Sequence, residues 1–306
     1  MEKVNIDSKR GYFYAIASAI IFGVTPLIAK MIYARGGNAI SLVFYRFFLP
    51  TPILYIAAIK TGCEDMSLSV SEFKKLLIIV LGYSTTPLLL YSSYNYISVG
   101  AASTLHFTYP VFIMIGLAYF YKLKPNRIEL ISVIIAMIGI FMIMDIDQLD
   151  SFIGFTLAFV SGITYAVYSF YLDKSGLNRM NIFKICFYMA ILSSFIALVF
   201  SLLTQSFVYS FSLETWVLTF GFAVSISVIA VVFYQIGIKL IGSQKTSILS
   251  TFEPLTSIVL GLVFFSEVLT LQKSIAIICI ITASVLLAVF GGDKKLKADN
   301  ADKLNN

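Results

Sequence analysis

The sequence predicts an all-α integral membrane protein with ten transmembrane helices arranged as two inverted five-helix repeats, and three observations carry that fold class. Hydrophobic residues make up 59% of the 306 residues and charged residues 12%, with mean hydropathy +0.91, whereas a soluble domain carries about 25% charged residues. The apolar residues gather into runs long enough to cross a bilayer. The second half of those runs also echoes the first half in residue order.

Crossing about 30 Å of hydrocarbon takes roughly 20 helical residues at 1.5 Å each. The first run, residues 11–33, is long, contains Pro26 and lacks a small-residue cleavage site, so it predicts a retained helix rather than a signal peptide. The second covers 39–59. The third and fourth, 75–97 and 99–121, are parted only by the turn Ser98-Val99-Gly100, and the fifth covers 127–144. The remaining five cover 152–172, 182–204, 215–238, 244–265 and 273–290. A β-barrel would need segments of about ten residues alternating in polarity, and these unbroken runs do not alternate.

Sliding the chain against itself by 143 residues pairs Gly11 with Gly154, Ala15 with Ala158, Ser18 with Ser161 and Val24 with Val167. It also aligns Phe44-Tyr45 with Phe187-Tyr188 and Leu49 with Leu192. With one more residue of offset, Ser103 meets Ser247, Leu105 meets Leu249, Pro110 meets Pro254 and Phe120 meets Phe264. Five helices per copy is an odd number, so the second copy enters the membrane from the opposite face and the repeat is inverted. Repeats of this kind suit transporters, because two similar halves can exchange conformations around one midplane site. The organisation is therefore an N-terminal segment 1–10, a first repeat 11–144, a second repeat 151–290 and a polar, Lys- and Asp-rich tail 291–306 expected to be disordered.

Orientation follows from the basic residues of the short loops. With the N-terminus in the cytoplasm, Lys3, Lys9, Arg10, Lys60, Lys74, Lys75, Lys122, Lys124 and Arg127 face inward. So do Lys174, Arg179, Lys184, Lys239, Lys245, Lys294, Lys295, Lys297 and Lys303. Only Lys30, Arg35 and Lys273 face outward, with Arg46 inside a span. Both termini are thus expected in the cytoplasm of a multi-pass cell-membrane protein. The pI of about 9.0 is accounted for by topology and not by nucleic-acid binding. The outer loops, such as Asp145-Ile146-Asp147-Gln148-Leu149-Asp150, are short and acidic or neutral. Cys63, Cys186 and Cys279 form no paired pattern, so neither a disulfide nor a metal site is expected, and no cofactor.

The stretch from Tyr94 through Ala101-Ala102-Ser103-Thr104 to Tyr109-Pro110, and its counterpart from Tyr234 through Ser247 to Phe252-Glu253-Pro254, resemble the proline-centred helices of the drug/metabolite transporter superfamily, specifically the EamA type. Phe265-Ser266-Glu267-Val268-Leu269-Thr270 resembles that family's Gly-Glu-x-Leu-Thr motif, and Phe44-Tyr45-Arg46 its aromatic-Arg motif. In the first half Leu123 stands at the Glu267-equivalent position. The resemblance covers residues 11–290 and implies ten helices, cytoplasmic termini and export of small metabolites, often amino acids.

A charge within a membrane span costs at least a few kcal/mol, so each one marks a functional hypothesis. Arg46 lies too deep for comfortable snorkelling. Its planar fork could hold a substrate carboxylate, and the alternative is a structural Arg bonding helix carbonyls or an acidic neighbour. Met189 occupies its repeat position, which makes any role asymmetric. Glu253 precedes Pro254, where a missing backbone N–H kinks the helix and opens polarity near the midplane. The acid could bind a substrate ammonium or couple transport to protons, and the alternative is a protonated or Arg46-paired carboxyl. His106, the single histidine, sits four residues before Pro110 and is read either as a switch near neutral pH or as a satisfied hydrogen-bonder. Tyr91, Tyr94, Tyr109, Tyr165 and Tyr168 offer aromatic faces with polar tips for an aromatic or cationic substrate, against a packing role.

An intramembrane enzyme is disfavoured, since the chain has neither a His-Glu-x-x-His motif nor a glycine-rich phosphate loop. A channel fits proline-kinked repeats less well than alternating access does. The reading is a secondary transporter for a small-molecule substrate in the lipid bilayer, exporting a metabolite such as an amino acid. Efflux of organic cations or drugs is the alternative.

Overall fold

The computed structural model describes residues 2–143, 151–264 and 269–290, and among these no strand occurs. The acidic loop 145–150, the Glu267 segment 265–268 and the tail 291–306 lie outside the described residues.

Ten helical spans follow in chain order. The first, α1, consists of Glu2–Gly23 and Thr25–Tyr33, and α2 of Ala39–Phe48 and Thr51–Lys60. Next come α3 (Val70–Ser93), α4 (Val99–His106 and Tyr109–Tyr121) and α5 (Arg127–Ile143). In the second half α6 is Phe152–Lys174 and α7 Ile182–Leu203. The eighth, α8, joins Leu213–Ala223 to Val231–Ile241 through a π-helical turn, Val224–Ala230. The chain closes with α9 (Ser243–Leu249 and Phe252–Phe264) and α10 (Leu271–Phe290). Eight spans meet the length and hydropathy needed to cross a membrane within their described residues. The other two are α5, described over 17 residues, and the broken α9.

Several ends differ from the hydropathy reading, for one physical reason. Polar residues mark where a helix leaves the lipid but not where it stops, so α1 already starts at Glu2 and α3 at Val70. Ser69 and Glu72 close a capping box at the start of α3. The turn between α3 and α4 lies at residues 94–98, with Ser98 accepting from the Ala101 N–H as the cap of α4.

The inverted repeat is visible in packing. Helix α3 packs along α6, and α8 along α1; α4 packs on α6, and α9 on α1; α2 lies against α7, and α5 against α10. Exchanging each helix for the one five places on maps α3–α6 onto α8–α1 and α4–α6 onto α9–α1, and maps α2–α7 and α5–α10 onto themselves. Caps repeat as well. Asn38 and Asn181 begin α2 and α7, while Ser69 and Ser212 begin α3 and α8, each pair 143 residues apart.

The same offset generates two crossed latches. At one face, α7 holds the α2–α3 loop: Lys184 Nζ donates to the carbonyls of Asp65 (2.8 Å) and Ser67 (2.6 Å), the Tyr188 hydroxyl to that of Met66, and Asn181 Nδ2 to Thr61 Oγ1 (2.9 Å). At the opposite face, α2 holds the α7–α8 loop. There the Asn38 amide (2.7 Å) and Ser41 hydroxyl (3.0 Å) donate to Ser206 O, and the Tyr45 hydroxyl to Val208 O (2.9 Å).

Proline and small residues shape the middle of the bundle. Helix α1 breaks at Val24 before Pro26, α4 at Phe107 and Thr108 before Pro110, and α9 at Ser250 and Thr251 before Pro254. Each proline lacks the N–H that helical geometry would aim at the carbonyl four residues back. Close approach needs glycine: a Cβ on Gly162 of α6 would lie 2.8 Å from His106 O at the α4 break, and one on Gly82 of α3 would lie 2.8 Å from Thr164 O of α6.

Candidate functional site

Where these breaks converge lies a cavity of about 60 Å³, walled by six helices. Arg46 enters from α2, Tyr83, Thr86 and Tyr91 from α3, and His106 and Tyr109 from α4. Tyr165 comes from α6, Glu253 from α9, and Phe22, Thr25 and Pro26 from α1. At a bilayer midplane, broken helices and polar side chains are tolerated where they line such a space.

Arg46 is buried, at 6% exposure. Its Nη1 donates to the Tyr91 hydroxyl at 2.9 Å, and its guanidinium carbon lies 5.5 Å from the Phe47 ring centroid and 6.0 Å from that of Phe22. Aromatic faces and one phenol thus offset part of the cost of burying the cation. Its Nε has no hydrogen-bond partner among the described residues. In the second half the equivalent pair is neutral: Met189 Sδ accepts from Gln235 Nε2 at 3.3 Å. The site's charge therefore belongs to one repeat at this position.

Glu253 borders the same cavity, yet no ion pair joins it to Arg46 among the described residues. The repeat partner of Glu253, at an offset of 144, is Tyr109, which also lines the cavity. Phe22 and Tyr165 form a second such pair at an offset of 143. The wall is two-fold in layout and asymmetric in chemistry.

His106, 7% exposed, bonds through Nδ1 to Ser161 Oγ of α6 at 2.9 Å, with its ring 5.3 Å from Tyr109 and 5.4 Å from Tyr165. Tyr109 and Tyr165 meet edge to face at 4.6 Å. Tyr168 is 1% exposed and sits behind the wall, its ring against Tyr83 at 5.1 Å and Tyr165 at 5.5 Å. It supports the cavity without lining it. Pro110 and Pro254 likewise stand beside the wall, at the starts of the second pieces of α4 and α9.

Tyr83, Thr86, Pro87, Phe22 and Ser103 were not among the sequence-predicted site residues. A signal existed in α3, where Ser84-Thr85-Thr86-Pro87 interrupts an apolar span, and Thr86 Oγ1 meets Thr164 Oγ1 of α6 at 2.8 Å.

The model of the EamA-like transporter family matches the chain twice, over residues 9–145 and 152–289. An uncharacterized transporter of Archaeoglobus fulgidus is 25% identical over 280 residues, covering 89% of this chain and 94% of its own. One of Clostridium kluyveri is 23% identical over 296 residues, covering 91% and 93%. A crystal structure of another protein superposes with a TM-score of 0.78 at 13% identity, covering 94% of this chain and 98% of that one, a likeness of fold alone.

Proposed function

Because this chain belongs to the EamA-like transporter family, we propose that it exports a small zwitterion of the amino-acid class across the cell membrane by alternating access. Arg46 takes the substrate carboxylate and Glu253 its ammonium. The observation behind this reading is that a guanidinium and a carboxyl, Arg46 and Glu253, border one cavity with no ion pair between them among the described residues. Inside a bilayer each isolated charge is costly, and a ligand carrying both complementary groups offsets both costs at once. The crossed, two-fold packing supplies two similar halves that can trade conformations around that ligand. Glu253 also offers a carboxylate for proton exchange. Polar segments 1–10 and 291–306 both lie in the cytoplasm in this reading, as the basic loops favour.

The test is counterflow of labelled amino acids into liposomes holding the purified protein, with and without a pH gradient. Arg46→Ala and Glu253→Gln should each lower amino-acid exchange at least tenfold, since losing one partner of a buried charge pair costs about 2–5 kcal/mol. Tyr91, Tyr94, Tyr109 and Tyr165 on the wall favour a second reading, efflux of an organic cation held by aromatic faces. That reading requires cation transport to survive Arg46→Ala. Unchanged amino-acid exchange in Arg46→Ala would sink the carboxylate role.

A further inference from the structure

We propose that His106 is a specificity-determining hydrogen-bond acceptor, fixed in one tautomer by Ser161, that restricts the cavity to zwitterions with an N–H-bearing ammonium and rejects their N-trimethylated counterparts. This rests on the zwitterion reading of the cavity and narrows it.

The tautomer follows from proton accounting along one chain of contacts. The Ser161 hydroxyl donates to the Ala158 carbonyl at 2.6 Å, which uses its only proton. The 2.9 Å contact between Ser161 Oγ and His106 Nδ1 therefore requires Nδ1 to be the donor. A buried ring sharing its cavity with a guanidinium is read as uncharged, so the lone pair rests on Nε2. Nε2 makes no hydrogen bond among the described residues, while the ring borders the cavity. The ring also packs against the edge-to-face pair Tyr109 and Tyr165, and helix α6 approaches it closely where Gly162 presents no side chain at His106 O.

Aromatic walls alone would welcome a quaternary ammonium. The acceptor on His106 discriminates, because a ligand without N–H leaves it buried and unpaired, and a missing partner of this kind costs about tenfold or more in binding.

The experiment is competition against counterflow of labelled alanine, threonine and phenylalanine in proteoliposomes. Each unlabelled amino acid is compared with its N,N,N-trimethyl derivative. In the unaltered protein the parent should compete at least tenfold better. His106→Gln, which keeps an acceptor near the Nε2 position, should retain most of that preference, and His106→Leu should bring it near parity. Ser161→Ala frees the ring to place its proton on Nε2 and should erode the preference while leaving phenol and charge contacts in place. Equal competition by the trimethyl compounds in the unaltered protein overturns the acceptor assignment but leaves the zwitterion reading standing. An undiminished preference in His106→Leu does the same. Absence of counterflow for all three amino acids overturns both.

Discussion

Tyr91 is the side chain that sets where the Arg46 guanidinium points, through a 2.9 Å bond between α3 and α2. Interhelical hydrogen bonds within membranes average about 0.6 kcal/mol, and those to charged groups in proteins reach about 1.5–3 kcal/mol. Tyr91→Phe keeps the ring and removes the bond. The folded protein should persist with its detergent melting point lowered by a few degrees, while KM for an amino-acid substrate rises about three- to tenfold. A KM unchanged from the parent would show that Arg46 is positioned by Phe22 and Phe47 instead. Arg46, His106 and Glu253 were legible in the sequence because a polar or charged group in an apolar run stands out by its cost. Tyr83 and Ser103 were not. Their spans are apolar around much of their circumference, so nothing in the pattern tells which face turns inward, and 18 tyrosines offer many equal candidates.

At the level of elements, the breaks in α4 and α9 follow directly from Pro110 and Pro254, whereas the π-helical turn Val224–Ala230 has no local residue that announces it. Its counterpart in the first half is Pro87, 143 residues before Ala230, so the two repeats interrupt the regular hydrogen bonding of the same helix by different means. The crossed latches were equally hidden, since Asn38, Ser41 and Tyr45 gain meaning only once the loop of the other half lies beside them. Their chemistry differs between faces: Lys184 holds one loop and neutral Ser41 the other. In the Lys184-bound loop, the backbone N–H and hydroxyl of Ser67, aided by the Lys184 charge, hold the exposed Asp65 carboxyl below its ordinary pKa of 3.8. A depressed folded-state pKa stabilises the loop above the unfolded value and loses that contribution as pH falls through the folded value. Protease access to residues 61–69 should therefore stay constant from pH 8 to pH 5 and rise only below about pH 4. In Asp65→Asn that acid step should vanish. A step centred near neutral pH would assign the latch to a different group.

For the whole molecule, the two-fold exchange of helix contacts means that the shape of the bundle barely distinguishes one membrane face from the other. Direction has to come from something the repeat does not share, and in the proposed orientation the basic residues supply it. Lys60, Lys74, Lys75, Lys122, Lys124, Lys174, Arg179 and Lys184 all belong to one face, opposed across the membrane by few cations, of which Arg35 is held 2.8 Å from Glu214. Each basic residue near the surface interacts with the anionic inner leaflet by about 1 kcal/mol, so this imbalance supports placing that face in the cytoplasm, as proposed. The natural cysteines allow a direct test. Cys63 lies in the α2–α3 loop between Lys60 of α2 and Lys74 and Lys75 of α3, Cys186 is buried at 2% exposure, and Cys279 lies within α10. A membrane-impermeant maleimide should leave Cys63 unmodified in intact cells and modify it in inverted vesicles. Tyr209→Cys, placed in the exposed loop of the opposite face, should show the reverse in a Cys63→Ser background. Modification of Cys63 from outside intact cells would invert the proposed orientation.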